Sequence, residues 1–323
     1  MRIIQASQYA EEMNNIAEPA LLSIRTSGMM PVKDAKDGEG IYYEIYKTPG
    51  AKGAIVLSHG FSENTEKLKE VIYYMVEQGY RVYAVDHRGH GRSFRQSHHP
   101  NLANIRRFSD YVEDLHQFVS LIVKTDTDLP LYLYGHSMGG GIAAAYIESY
   151  PQDFRKAVLS SPMLKLYLPF PEPVTRLFTG SMCLIGRGDT FGPGQSPYTG
   201  LEPFDNSSSA NEARFDYYQQ KKLANKEFQI SATSYSWIYH SVKAIAKIRS
   251  APACAKIRIP VLILRCSADS LIDPKGLDQF AAHTAGCRIV DFDNSRHEIY
   301  NSDDSVIAVY YETIFSFLQD QPS

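Results

Sequence analysis

Short apolar, β-branched or aromatic runs alternate along this chain with stretches in which apolar residues recur every three or four positions. That alternation predicts a mostly parallel sheet with helices on both faces: a central strand is buried on both sides, whereas a crossover helix needs only one apolar stripe. "GIYYEIYK" at 40–47 has loose strand character and belongs to an antiparallel start. "AIVLSHG" at 54–60 is an apolar run ending in glycine. In "EKLKEVIYYMVEQG", which follows, Leu68, Val71, Ile72, Met75 and Val76 share one helical face and Gly79 is a natural stop. "YRVYAVDHRGHGRS" gives another strand and a glycine-rich loop. "FSDYVEDLHQFVSLIVK" reads as a helix with Ser109 as N-cap and Val112, Leu115, Val119 and Ile122 turned inward. The strand "LYLYG", a helix beginning near Ser137 and the strand "KAVLSSP" at 156–162 complete the first series.

The pattern then breaks. Residues 163–258 hold Pro169, Pro171, Pro173, a Gly/Pro-rich run from Gly180 to Pro203, and Trp237, the one tryptophan. It resumes with "IPVLILRCSAD" at 259–269, a helix near 274–284, the strand "RIVDFD", the loop "NSRHEIYNSDD" and a closing helix from about Ser305 to Leu318. The expected organisation is an α/β body formed by 1–162 and 259–323, interrupted by an insert over 163–258.

A length of 323 residues suits a large body plus an insert. No window approaches the roughly 18 unbroken apolar residues of a membrane span. "MRIIQASQYAEEMNNIAEP" has acids where a signal peptide wants an apolar core, so the expectation is a cytoplasmic protein. Cys183, Cys254, Cys266 and Cys287 have neither paired nor metal-ligand spacing and read as reduced thiols. A formal net charge of −3 argues against a nucleic-acid partner. The charge is uneven, however: residues 163–258 carry 12 Lys and Arg against 7 Asp and Glu, which leaves an acidic remainder. A basic insert points either to an anionic surface or substrate nearby or to an ordinary solvated face.

The chemistry concentrates in "LYLYGHSMGGG" at 131–141, where a strand runs into Gly-x-Ser-x-Gly around Ser137 and a helical pattern follows. This is the strand–turn–helix context of a nucleophile elbow. Glycines are needed there because side chains on so tight a turn would collide with the adjoining strand and helix. A serine hydroxyl is a weak nucleophile alone, so the reading requires a histidine base and an orienting carboxylate. His297 follows the last strand, and Asp269 ends the strand before it, giving the order Ser, Asp, His expected of this architecture. Asp273, in the same loop, and Asp293, nearer to His297 in sequence, are the other candidates for the acid. The oxyanion donors would be the backbone N–H groups of Met138 and of Phe61 in "SHGFSE", with His59-Gly60 allowing a close approach.

"SHGFSE", "DHRGHGRS", "GHSMGG", "CSAD" and "SRHEI", in that order, resemble the serine α/β-hydrolases of the monoacylglycerol lipase and lysophospholipase type. Within the insert, "SSPML", "NEARFDYY" and "TSYSWIYHSVKA" are similar to the cap of bacterial lysophospholipase L2. The resemblance runs from about residue 30 onward. It implies an α/β-hydrolase fold with a cap, catalysis by Ser137, Asp269 and His297, oxyanion donors at Phe61 and Met138, and no cofactor or metal. The implied reaction is hydrolysis of the acyl ester of a lysophospholipid through an acyl-enzyme, with peripheral membrane contact through the cap. Alternatives on the same site are a monoacylglycerol lipase, a general carboxylesterase or an acyl transferase; from another class comes a non-catalytic ligand receptor. One departure is Cys266-Ser267 where relatives often have glycine, with local packing the expected consequence. Asp86, Arg88 and Gly89 are expected to pin a loop beside the elbow. The histidines of "HRGHGRSFRQSHH" lack metal-ligand spacing, and "RGD" at 187–189 reads as coincidence.

Overall fold

In the computed structural model, which describes residues 1–320, the chain forms ten strands: β1 (Arg25–Met30), β2 (Ile41–Tyr46), β3 (Gly53–Ser58), β4 (Tyr80–Val85), β5 (Leu102–Ala103), β6 (Leu131–His136), β7 (Lys156–Ser160), β8 (Ala232–Thr233), β9 (Val261–Cys266) and β10 (Cys287–Phe292). Eight of these make one sheet in the order β1-β2-β4-β3-β6-β7-β9-β10. Only β2 runs against its neighbours; every pairing from β4 to β10 is parallel. This is the α/β-hydrolase architecture that the periodicity and the motifs predict. Side chains alternate between two cores as the pleat requires. Ala54 and Val56 of β3 face one core with Tyr83 and Val85 of β4. Ile55 and Leu57 face the other with Val82 and Ala84. Helices Lys69–Glu77 and Asp304–Gln319 cover the second face, and helices Ser109–Phe118, Met138–Ser149 and Pro274–His283 the first.

Two details differ from expectation. Ser109 is the first helical residue rather than the cap: Phe108 precedes it, and no side chain caps the helix. Backbone bonds from the Asp110 and Tyr111 N–H groups to the Arg107 and Phe108 carbonyls tighten that end instead. The N-terminal 30 residues, for which no element was expected, form helices over Tyr9–Ile24, with a π turn at Met13–Ala17, and then β1.

Between β7 and β9 no strand joins the main sheet; β8 pairs only with the short β5. Helix Glu172–Leu184 lies on helix Tyr235–Ile248, with Phe178 edge-on to Tyr235 at 5.8 Å. Helix Glu212–Ala224 instead pairs two of its basic residues with acids on and beside helices Lys69–Glu77 and Asp304–Gln319. The buried Arg214 pairs with Glu70 at 3.2 Å and Asp304 at 2.8 Å, and Lys221 with Glu66 at 2.7 Å. Lys165 pairs with Asp273 at 2.8 Å. Much of the basic excess of this region is therefore matched inside the molecule to the acidic excess of the rest.

Candidate active site

The sheet brings the expected residues together at the carboxyl ends of its parallel strands, where open α/β sheets leave a crevice. Ser137 follows β6 with φ 52° and ψ −118°, a conformation that L residues adopt only under constraint. The constraint is visible on both sides of it. The Ser137 N–H donates to the Ser160 carbonyl at 3.0 Å, and its own carbonyl accepts from Gly141 and Met163 at 3.0 and 2.8 Å. The flanking glycines are required by contact: a Cβ on Gly139 would lie 2.1 Å from the Ser58 carbonyl oxygen, and one on Gly135 2.6 Å from that of Gly139.

The Ser137 Oγ is 2.8 Å from His297 Nε2, and His297 Nδ1 is 2.8 Å from Asp269 Oδ2. The other oxygen of Asp269 accepts from the Leu271 and Ile272 N–H groups at 2.8 and 3.0 Å. Burial alone would raise this carboxyl, but the hydrogen bond and charge of His297, with the two backbone donors, bring it down to about 2. Asp273 serves elsewhere, capping helix Pro274–His283 by accepting from the Lys275 N–H at 3.0 Å. Asp293 is exposed. Of the three candidate acids, only Asp269 reaches His297.

Both expected oxyanion donors border the serine. A Cβ on Gly60, immediately before Phe61, would fall 3.1 Å from Ser137 Cβ, and Met138 opens the helix after the elbow. Among the described residues neither the Phe61 nor the Met138 N–H has a protein acceptor. Trp237 packs on Phe61 with ring centroids 5.3 Å apart and donates to the Tyr111 hydroxyl, so it closes over the loop that carries Phe61. Ser137 is 8% exposed and His297 3%. Asp86 accepts from the Thr65 and Arg92 N–H groups, and Arg88 makes a two-pronged pair with Asp114 at 2.6 and 2.7 Å. These bonds pin the neighbouring loop as expected. Of the histidines in that loop, His87 and His90 are buried against His59, while His98 and His99 lie farther along near Asp189 and Phe191.

Sequence reasoning missed a buried network behind His297. Glu63 accepts from the Gly60 N–H at 2.6 Å, from His136 Nδ1 at 3.0 Å and from the Tyr300 hydroxyl. His136 Nε2 faces the His297 carbonyl at 3.4 Å. Burial would raise Glu63, but the charges of His136 and Lys67 hold it well below the usual carboxylate range. Burial works against charge on His136, and Glu63 outweighs it and raises this imidazole. One ion pair thus ties the Gly60–Glu63 loop to the loop carrying His297. Both residues sit inside recognised motifs, "SHGFSE" and "GHSMGG", at positions that the motif pattern leaves unspecified. Cys266, for which local packing was the expected consequence, also reaches the site: its thiol donates to Asp269 Oδ2 at 3.2 Å, beside the His297 contact.

The family model described as serine aminopeptidase, S33 (Hydrolase_4) matches residues 49–304. The chain belongs to this family. Among similar proteins, a "Probable lysophospholipase L2" of Haemophilus influenzae is 27% identical over 267 residues, covering 83% of this chain and 84% of its own. The "Monoglyceride lipase" of Homo sapiens is 29% identical over 259 residues, 78% of each chain. A soluble variant of the monoglyceride lipase of Saccharomyces cerevisiae superposes with a TM-score of 0.71 at 20% identity, covering 91% of this chain and 96% of that one, which establishes the fold. As a Hydrolase_4 member with such relatives, the chain is a serine hydrolase of the carboxylic ester hydrolase class.

Proposed function

We propose that this enzyme is a lysophospholipase that removes the single fatty acyl chain of a lysophospholipid, with Ser137, His297 and Asp269 as its catalytic residues. The observation that carries the reading is the unbroken hydrogen-bond chain from the strained Ser137 through His297 to a carboxylate held ionised. In the first step the Ser137 Oγ bonds to the ester carbonyl carbon while its proton passes to His297 Nε2. The Phe61 and Met138 N–H groups receive the oxyanion. The carbon–oxygen bond to the glycerol moiety then breaks, and that oxygen takes the proton from His297. Water, giving its proton to His297, attacks the acyl-enzyme; the fatty acid leaves and Ser137 regains its proton. Asp269 fixes the histidine tautomer, accepting from Nδ1 so that Nε2 faces the serine.

Residues 163–258 form the cap in this reading, on a body of 1–162 and 259–323, and Trp237 forms part of the dry wall over the oxyanion loop. Peripheral membrane contact runs through helix Glu172–Leu184. Its Val174, Leu177, Phe178 and Leu184 are exposed, with Phe170 and Ile185 at its two ends. No helix of the described residues is long and apolar enough to cross a membrane. The relatives named as monoglyceride lipases favour monoacylglycerol as the second reading.

The test compares wild type with Ser137→Ala on lysophosphatidylethanolamine, lysophosphatidylcholine, monoacylglycerol and an aminoacyl arylamide. We expect ester turnover to fall by at least about 10³-fold in the variant. We also expect a fluorophosphonate to add covalently to wild type at Ser137 and not to the variant. Full activity in Ser137→Ala would refute the mechanism, and faster turnover of the arylamide than of any lipid would refute the substrate.

A further inference from the structure

A polar cavity of about 150 Å³ is lined by Ser62, Lys67, Glu202, Gln219, Lys222 and Glu298 among others, two of them chain neighbours of Phe61 and His297. Its position follows from the chain itself. Ser62 directly follows Phe61, and Glu298 directly follows His297, so one residue from each side of the site forms part of its wall. The volume is below the roughly 300 Å³ at which pockets begin to enclose a whole drug-sized ligand, so it suits a compact group and not an acyl chain.

The lining is unusual in its charge. Lys67 lies 3.3 Å from Glu63 and also contacts Glu298, while Lys222 is 2.6 Å from Glu202. The two ammonium groups are almost removed from solvent, with side chains 12% and 4% exposed. Gln219 is buried; its Nε2 donates to Glu202 at 3.2 Å, but its Oε1 has no partner among the described residues. A buried acceptor without a donor costs free energy, so it marks a place that a ligand N–H or O–H would fill.

We propose that this cavity receives the headgroup of a lysophospholipid whose headgroup is zwitterionic and ends in a primary ammonium. The proposal rests on the lysophospholipase reading above and names the headgroup that the same site takes. The phosphate would lie against the Lys67 and Lys222 ammoniums, which offer N–H donors as point charges. The ammonium would lie against Glu202, Glu298 and the Gln219 Oε1. A purely anionic headgroup could use the two lysines but would leave Glu202 and Glu298 facing no ligand cation. A neutral glycerol brings no charge for either the lysines or the glutamates to bind. A quaternary ammonium has no N–H to give the Gln219 oxygen.

The experiment measures kcat/KM on lysophosphatidylethanolamine, lysophosphatidylcholine, lysophosphatidylglycerol and monoacylglycerol of one chain length, normalised to active sites titrated with a fluorophosphonate. Wild type should favour lysophosphatidylethanolamine at least fivefold over each of the others. Gln219→Leu should lower the ratio of lysophosphatidylethanolamine to lysophosphatidylcholine at least fivefold. Lys222→Met should lower the ratio of lysophosphatidylethanolamine to monoacylglycerol at least tenfold. Because these are ratios between substrates on titrated sites, loss of folded protein does not move them, and the two variants test opposite ends of the headgroup. A wild type that treats the four lipids alike, or ratios that move less than twofold in both variants, overturns the headgroup assignment while leaving lipid ester hydrolysis intact. A wild type that is labelled at Ser137 yet cleaves none of the four lipids overturns both.

Discussion

At Ser137 the chain accepts a backbone strain of about 1–3 kcal/mol to stand one hydroxyl clear of the sheet, and the surrounding bonds fix it there. Glycines at fixed offsets around a serine between strand and helix have several uses, and this part of the site was legible because an acid and a histidine follow in the expected order. Asp269 and His297 were legible from their order, each just beyond its own strand. Glu63, His136 and Cys266 were not, since nothing local marks a residue whose importance lies in what it touches across the fold. Cys266 gives a test at this scale. Its thiol shares Asp269 Oδ2 with His297, so Cys266→Ala should lower kcat/KM a few-fold and Cys266→Ser should largely restore it. Equal losses in the two variants would reduce the cysteine to packing. Asp269 itself links the site to stability. Its carboxyl is held at about 2 in the folded chain, so the stability it contributes is present above about pH 4 and is lost as pH falls toward 2. The stability of wild type relative to Asp269→Asn should therefore decline by about 2 kcal/mol across that window, followed by urea titration at each pH.

Among the elements, the central strands were plain because burial on both faces leaves unbroken apolar runs, as in β3, whose six residues are all buried. β1 was not. "RTSGMM" lacks alternation, lies half-exposed at the sheet edge and is a strand through its pairing with β2. The N-terminal helix did leave a signal: Tyr9, Met13, Ala17 and Leu21, all buried, recur at every fourth position. A spacing of four outruns the 3.6-residue turn, and the π turn at Met13–Ala17 widens the helix where that stripe runs. Helix Glu212–Ala224 is seated by charge as well as by its apolar contacts, which include the buried Phe215 and Tyr218. Arg214, fully buried, bonds Glu70, Asp304 and the Ile4 carbonyl, joining the N-terminal segment and two helices of the body. Arg214→Met should cost about 3–5 kcal/mol, because it leaves Glu70 buried without its cation, and Arg214→Met combined with Glu70→Gln should recover part of that loss. Denaturant unfolding of the two proteins measures the difference. A single variant as stable as wild type would mean that the pair does not hold this helix.

Over the whole molecule, charge and apolar surface are sorted to different places. Arg214 and Lys221 of helix Glu212–Ala224 are engaged with acids outside residues 163–258, so the net charge of that region overstates how basic the outer surface is. Besides exposed cations such as Arg187, Lys243 and Lys247, the region presents large apolar side chains outward: Leu177 is 75% exposed and Leu184 89%, on a helix in which only Thr179 is buried. Membrane contact should accordingly depend on insertion of side chains more than on lipid charge. Burying one leucine side chain is worth about 1.5–3 kcal/mol, or roughly 10- to 100-fold in binding. Leu177→Asp should then reduce sedimentation with neutral phosphatidylcholine vesicles at least tenfold. Adding salt or anionic lipid should change wild-type binding by much less than that. The same variant should lower the ratio of turnover on vesicle-embedded lysophospholipid to turnover on a dissolved short-chain nitrophenyl ester, because only the first substrate requires the surface. If salt releases the wild type from vesicles while Leu177→Asp binds as before, attraction is electrostatic and the exposed helix has another purpose.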